Sequence, residues 1–411
     1  MAGVAATAAS GVACAQAEPA GPAAPSGPSA RTVLYASVGA ELGSYTVDEE
    51  SPTLTRDGVT RTPGPVQYVW VHPALPVMYV AYSNRSTAND SHGVAAYRID
   101  RGTGRLTELG PPLTLDNRPI HITVHPAGRH LLIAYNQPST LTVHDLDAEG
   151  SIGTPVAQRE PVDAGNYAHQ VRVAPSGSFV VLSTRGSDAT PEKPADPGAL
   201  EVFRFSEGQL TSEKSITDGD GTGFGPRHVD FHPTEPWMYV SMERNNQVLT
   251  FEVHGDGIAP SPTSTRATVS HSELRAPTQY LGPIHVHPNG RYLYLVNRSD
   301  GTVDFEGRKV HGPGENSVAV FSIEDAGGPT LIQTIGIGAF HARTFSIHPN
   351  GKMLVTAAVA PLAERDGDQV RDVPAGFSVF GIGDDGRLTF VRKDDVDVGD
   401  GSLFWCGFVS L

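Results

Sequence analysis

Short runs of β-branched and aromatic residues alternate along the chain with Gly, Pro, Asn and Asp, and one arrangement of apolar and polar positions returns six times. Each copy is a short alternating run that ends in a His-Pro or Ala-Pro turn, followed by a more continuous apolar run. The copies are QYVWVHPALPVMYVAY from Gln67, HITVHPAGRHLLIAYN from His121, HQVRVAPSGSFVVLST from His169, RHVDFHPTEPWMYVSM from Arg227, PIHVHPNGRYLYLVN from Pro283 and RTFSIHPNGKMLVTAA from Arg343. Their turn prolines, Pro73, Pro126, Pro175, Pro233, Pro288 and Pro349, recur every 49 to 61 residues. Alternating or continuous apolar runs bounded by turn residues predict strands, and no stretch carries a convincing helical period. The second copy reads as four strands: HITVHP (A), HLLIAYN (B), STLTVHDLD (C) and a weaker D around Thr154 to Gln158. In the first copy C is GVAAYRID and D is RLTELG.

A four-stranded sheet cannot bury its own faces, so a β-rich period of this size predicts a closed array, an all-β propeller. Six copies do not close the ring, but the ends supply the remainder. TVLYASVG, ELGSYTVD and TLTRDG at the start read as strands B, C and D, and SLFWCGFVSL at the end reads as a lone A strand. Joined, they make a seventh blade whose closure protects the sheet edges. Residues 32–411 are therefore expected to form one seven-bladed β-propeller. Residues 1–31, rich in Ala, Pro, Gly and Ser and almost uncharged, are expected to be a disordered tail.

The net charge of −15 and pI near 5.5 argue against a nucleic-acid or membrane surface, which favours basic faces. Two cysteines, Cys14 and Cys406, make neither a disulfide framework nor a zinc cluster. HExxH, CxxC and GxSxG motifs are all missing from the sequence, so no metal, cofactor or serine nucleophile is expected. No run is apolar and long enough to cross a bilayer. The expected location is cytoplasmic. Export is the alternative, because Ala15-Gln16-Ala17 resembles a cleavage site, although no basic start or solid apolar core precedes it.

Aligning the copies on the turn proline sorts the polar residues by place. Strand A runs along the central channel and B returns antiparallel to it, so the start of A and the end of B meet at one mouth. Six residues before each proline stand Gln67, Ile120, His169, Arg227, Gly282 and Arg343. Ten residues after it stand Ser83, Asn136, Arg185, Glu243, Arg298 and Val359. His169, Arg185, Arg227, Glu243, Arg298 and Arg343 thus converge, with His121 and His228 one residue further in. Long B–C insertions after Asp188, from Gly301 and from Leu362 open at the same mouth. Arginine forks in an acidic protein suit an anionic substrate, and a His and a Glu among them suit proton transfer with oxyanion stabilisation. His72, His125, His232, His287 and His348 fall in the A–B turns at the other end and are expected to bond local backbone. Trp70, Trp237 and Trp405 read as packing between blades.

At these residues the chain resembles the lactonase family of seven-bladed β-propellers, which includes propeller-type 6-phosphogluconolactonases and the carboxy-cis,cis-muconate lactonizing enzyme. The resemblance spans residues 32–411 and rests on GPRHVDFHP with YVSMERNNQVLTFEV, on YLYLVNRSDGTV with SVAVFSIE, and on ARTFSIHPNGKML. It implies catalytic roles for His169, Arg227, Glu243 and Arg298. Arg343, Arg185, His228, His121, Asn136 and Asn297 are the expected substrate-binding residues. Departures at Tyr167-Ala168, Thr184-Arg185, Met242 and Ala357-Ala358-Val359 imply a reshaped pocket. The leading expectation is hydrolysis of a small anionic lactone such as 6-phosphogluconolactone. The alternatives are a cycloisomerase acting on a carboxymuconate-type diacid and a non-catalytic interaction platform.

Overall fold

The computed structural model describes residues 31–85, 90–270, 278–324 and 327–411. The expected tail, Cys14 and the Ala15-Gln16-Ala17 segment lie outside the described residues. Thr32–Leu411 form one compact unit with no α-helix among the described residues. Seven antiparallel sheets follow one another around a ring. The first is closed as expected: Leu403–Ser410 pairs with Thr32–Val38, which pairs with Glu41–Asp48 and then Thr53–Arg61. The innermost strands of blades two to seven are Val66–Val71, Pro119–Val124, Ala168–Val173, Pro226–Phe231, Gln279–Val286 and Ala342–Ile347. The weak outer strand of the third blade spans Ile152–Pro155, slightly earlier than its apolar pattern suggested.

Burial falls from hub to rim, which explains the two kinds of apolar run. Second strands such as Val77–Ser83, His130–Asn136 and Met353–Ala358 are buried on both faces and read as continuous apolar runs, whereas the outer Gln209–Ile216 is mostly exposed. Seven hydrophobic clusters fill the seven junctions between neighbouring blades. In one of them Phe179 and Val181 of blade four meet Phe231, Met238 and Val240 of blade five. Cys406 is buried in the junction between blades seven and one, as expected for an apolar residue. Each large aliphatic or aromatic side chain buried there contributes about 1.5–3 kcal/mol.

Polar latches fix neighbouring blades in register. The Nδ1 of His72 accepts from the backbone N–H of Ala74 and Leu75, which leaves Nε2 to donate to Gly128 O of the next blade at 2.9 Å. His125, His232 and His287 repeat the pattern toward Gly177, Gly290 and Gly351. Local bonding was expected of these histidines; the bond between blades was not. The four receiving glycines have φ of 73–74°, the left-handed region glycine tolerates. A Cβ at Gly351 would also lie 2.5 Å from His287 Cε1. Blade four has Ala174 in place of the histidine, and the turn that follows it, His232-Pro233-Thr234-Glu235-Pro236, has no glycine to receive one.

Candidate active site

A backbone irregularity builds the mouth. In the inner strand of each blade the pairing with its neighbour slips near the mouth end. Partners run Ala168↔Thr184 then Gln170↔Ser183, and Pro226↔Met242 then His228↔Ser241, so His169 and Arg227 are left without a partner. The same slip isolates Gln67, Ile120, Arg343 and Phe404, and in blade six Gly282 and Pro283. A β-bulge re-aims the side chain of its extra residue. Here it frees one residue in each of six blades and two in blade six at the mouth, and all the positions that the proline alignment placed at the start of the inner strands are among them. Phe404 escaped that alignment because the closing strand has no turn proline after it.

The mouth holds a cavity of about 410 Å³. Six arginines line it, Arg85, Arg118, Arg185, Arg244, Arg298 and Arg343, against two carboxylates, Glu243 and Asp300. His169, Asn136, Ile120, Tyr167, Tyr280 and His341 complete the wall. Beneath it Arg227 and His228 face a much smaller chamber that shares Ile120, His169 and Arg343 with the cavity.

Glu243 is the centre of one half. It is 2% exposed, and its backbone is tied on both sides, its N–H donating to Gly225 O and its carbonyl accepting from Leu281 N. Oε2 accepts from Arg185 at 2.7 Å; Oε1 lies 3.1 Å from Arg227 Nε and accepts from Arg298 Nη2. Burial raises the Glu243 pKa, but Arg298, Arg227 and Arg185 outweigh it and hold the carboxyl at about 2. The Arg185 and Arg298 guanidiniums also lie over the Tyr167 and Tyr280 rings.

His169, beside this cluster, is 7% exposed and its Nδ1 has no hydrogen-bond partner among the described residues. Burial, then Arg227, Arg185 and Arg343, push its pKa well below 6.5, so the ring is neutral at physiological pH. Its ring centroid is 5.1 Å from that of His228, which is 6.1 Å from that of His121.

Of the residues singled out from sequence, His169, Glu243, Arg298, Arg343, Arg185 and Asn136 line the cavity and Arg227 and His228 lie just below it. Two expected substrate-binding residues lie outside the cavity wall. His121 sits deeper, its ring 3.9 Å from that of Tyr68, because its strand position is inside the bulge. Asn297 is fully buried, and its amide is spent on Thr268, Glu315 and Ser317 in the joint between blades five and six. Arg85, Arg118, Arg244, Tyr280, Asp300 and His341 were missed. The signal available was their spacing, one or two residues from the aligned positions. His341 Nε2 accepts from Arg298 Nη1 at 2.8 Å, and its Nδ1 is 3.4 Å from Asp300. Two insertions fold as hairpins, Thr302–Phe305 with Arg308–His311 and Leu362–Asp366 with Gln369–Val373. They are joined by an Arg308–Asp372 ion pair and by Arg365 stacked over Phe305.

The inner bulges of a seven-bladed propeller here feed an arginine-lined cavity, a lining that suits a small anion. The chain belongs to the lactonase family of seven-bladed β-propellers, whose model matches residues 32–360. It is 25% identical over 337 residues to a 6-phosphogluconolactonase of Bacillus subtilis, covering 79% of this chain and 86% of that protein. A Yersinia pestis 6-phosphogluconolactonase is likewise 25% identical, over 74% of this chain and 86% of its own length. The solved structure of a periplasmic gluconolactonase from Pseudomonas aeruginosa superposes with a TM-score of 0.69 at 19% identity, over 92% of this chain and 99% of that one.

Proposed function

We propose that this chain hydrolyses a small anionic, sugar-derived lactone, with 6-phosphogluconolactone the first substrate to test. The observation that carries this reading is the neutral His169, with an unpartnered ring nitrogen, set in the same cavity wall as the arginine-clamped Glu243. An acidic protein with six arginines around one cavity concentrates an anion there.

In this mechanism His169 takes a proton from water as the water adds to the lactone carbonyl. Arg298 and Arg185 stabilise the tetrahedral oxyanion; a preorganised donor at such a position is worth about 10²–10³ in rate. The ring C–O bond then breaks, and the imidazolium returns its proton to the leaving alkoxide. The balance is one water consumed and one hydroxy acid formed. Glu243 positions rather than reacts: a carboxylate held at about 2 with both oxygens engaged is a poor base at neutral pH. Entry of the substrate's negative charge offsets the arginines around His169 and raises its basicity.

Acid release from a lactone panel, followed by pH-stat, tests the proposal. Hydrolysis by the wild type that collapses in His169→Ala supports it; hydrolysis surviving both His169→Ala and Glu243→Gln sinks it. For location, the cytoplasm is our reading and export is the alternative. Among the described residues no helix is long and apolar enough to cross a membrane.

A further inference from the structure

Five of the six cavity arginines, with Arg227 below them, fall into two groups; the sixth, Arg244, pairs with Asp188. Arg185, Arg227 and Arg298, from blades four to six, share the negative charge of Glu243. Arg85, Arg118 and Arg343, from blades two, three and seven, make no ion pair among the described residues. They are held instead by neutral groups. Arg118 Nε donates to Gln67 Oε1 at 2.8 Å and Arg85 Nη2 donates to the same oxygen at 3.4 Å. Gln67 is itself pinned, its amide N–H donating to Pro65 O and Ser83 O, which aims its oxygen at the two guanidiniums. The Phe404 ring lies under the other flank, 4.9 Å from the Arg343 guanidinium carbon and 5.2 Å from that of Arg85. An amide oxygen and an aromatic face orient a cation without cancelling its charge.

We infer that Arg85, Arg118 and Arg343, seated on Gln67 and Phe404, form a phosphate subsite that holds the phosphorylated end of the substrate. The inference rests on the lactonase reading for what the phosphate is attached to. Three guanidiniums from three blades offer more donors than a two-oxygen carboxylate can engage, whereas a phosphate monoester presents three terminal oxygens and close to two charges. Unpartnered, the three repel one another. Burial and then Arg298 lower Arg343 to about 9, and burial and then Arg85 lower Arg118 to about 10, so both stay charged at neutral pH and a bound dianion relieves the repulsion. With the phosphate there, the lactone ring of a sugar acid lies in the same cavity as His169 and Arg298.

Calorimetric titration of the purified chain with 6-phosphogluconate, gluconate and inorganic phosphate tests this without needing turnover. The wild type should bind 6-phosphogluconate at least about tenfold tighter than gluconate, with inorganic phosphate competing. Arg118→Gln and Arg343→Gln should each bring that ratio close to one. Arg343→Lys, which keeps the charge but loses the fork, should fall between. Equal affinity of the wild type for both acids overturns the subsite. So do variants that weaken both equally, and so does binding of free phosphate with no preference for the phosphorylated acid. If a half-buried variant melts early, Arg85→Gln at the exposed member carries the same test. Phosphate discrimination without hydrolysis of any lactone would remove the lactonase reading and leave the subsite standing. Hydrolysis without discrimination would do the reverse.

Discussion

Histidines occupy both ends of this propeller, and their surroundings separate structure from chemistry. At the turn end His72, His125, His232 and His287 each use both ring nitrogens, one on the local turn and one on the next blade. At the mouth end, His121 has neither ring nitrogen bonded and His169 has Nδ1 unbonded among the described residues. Leaving such groups unmatched costs stability, about 1–3 kcal/mol for each buried polar group, and the mouth does so beside an ion cluster of several arginines. These four turn-end histidines spend both nitrogens on holding blades together; at the mouth, His169 keeps one unspent in the cavity wall.

Substitution is the sharpest way to break this comparison. His169→Ala should lower kcat by about 10²–10⁴ while leaving the melting temperature near wild type, as measured by lactone hydrolysis and calorimetry. A mutant that melts early at full activity would place His169 with the turn histidines. Glu243→Gln should do both kinds of damage. Removing the charge leaves Arg185, Arg227 and Arg298 uncompensated, and chemical denaturation should show a loss of about 3–5 kcal/mol, with activity falling too.

Acid probes the same cluster. Because the Glu243 carboxyl lies at about 2 when folded against 4.5 ordinarily, its stabilisation is complete above pH 4.5 and is lost as pH falls toward 2. The acid midpoint of Glu243→Gln should therefore respond less steeply in that window than that of the wild type. His169 runs the other way: its lowered pKa keeps it neutral, so kcat/KM should show no acid limb near 6.5 from this group and fall only at lower pH.

The smallest effects belong to the turn end. His287→Ala should cost about 1–3 kcal/mol, because Gly351 O and the Asn289 N–H lose their partner. Gly351→Ala should cost about 1–2 kcal/mol for the left-handed backbone alone. The double variant should be less damaging than the sum, because the clash with the imidazole disappears.

Strand order, ring closure and the converging face were legible because period and turn chemistry act locally and repeat. GPRHVDFHP and three of its counterparts place a polar residue, Arg227, Gln67, His169 or Arg343, at the same point of the inner strand. The antiparallel return brings the end of the second strand beside it. What escaped was set by reach and partnership. Arg118 and Arg85 join the cavity through Gln67, a contact 51 residues away in sequence for one of them. Asn297 stands beside Arg298 but faces the opposite side of its strand, where Thr268 and Glu315 consume it. The Glu243 pKa depends on three guanidiniums from three different blades, a sum that no single motif contains.

The repeated bulge has a consequence for how such a protein diversifies. The residue it expels takes no part in the pairing between first and second strands, so its identity can change without rewriting the register. The ring thereby offers one slot per blade around the mouth, filled here by Phe404, Gln67, Ile120, His169, Arg227, Gly282 and Arg343. Directed evolution of new selectivity should concentrate on those slots, where libraries of single substitutions alter what the chamber recognises and spare the scaffold that holds it.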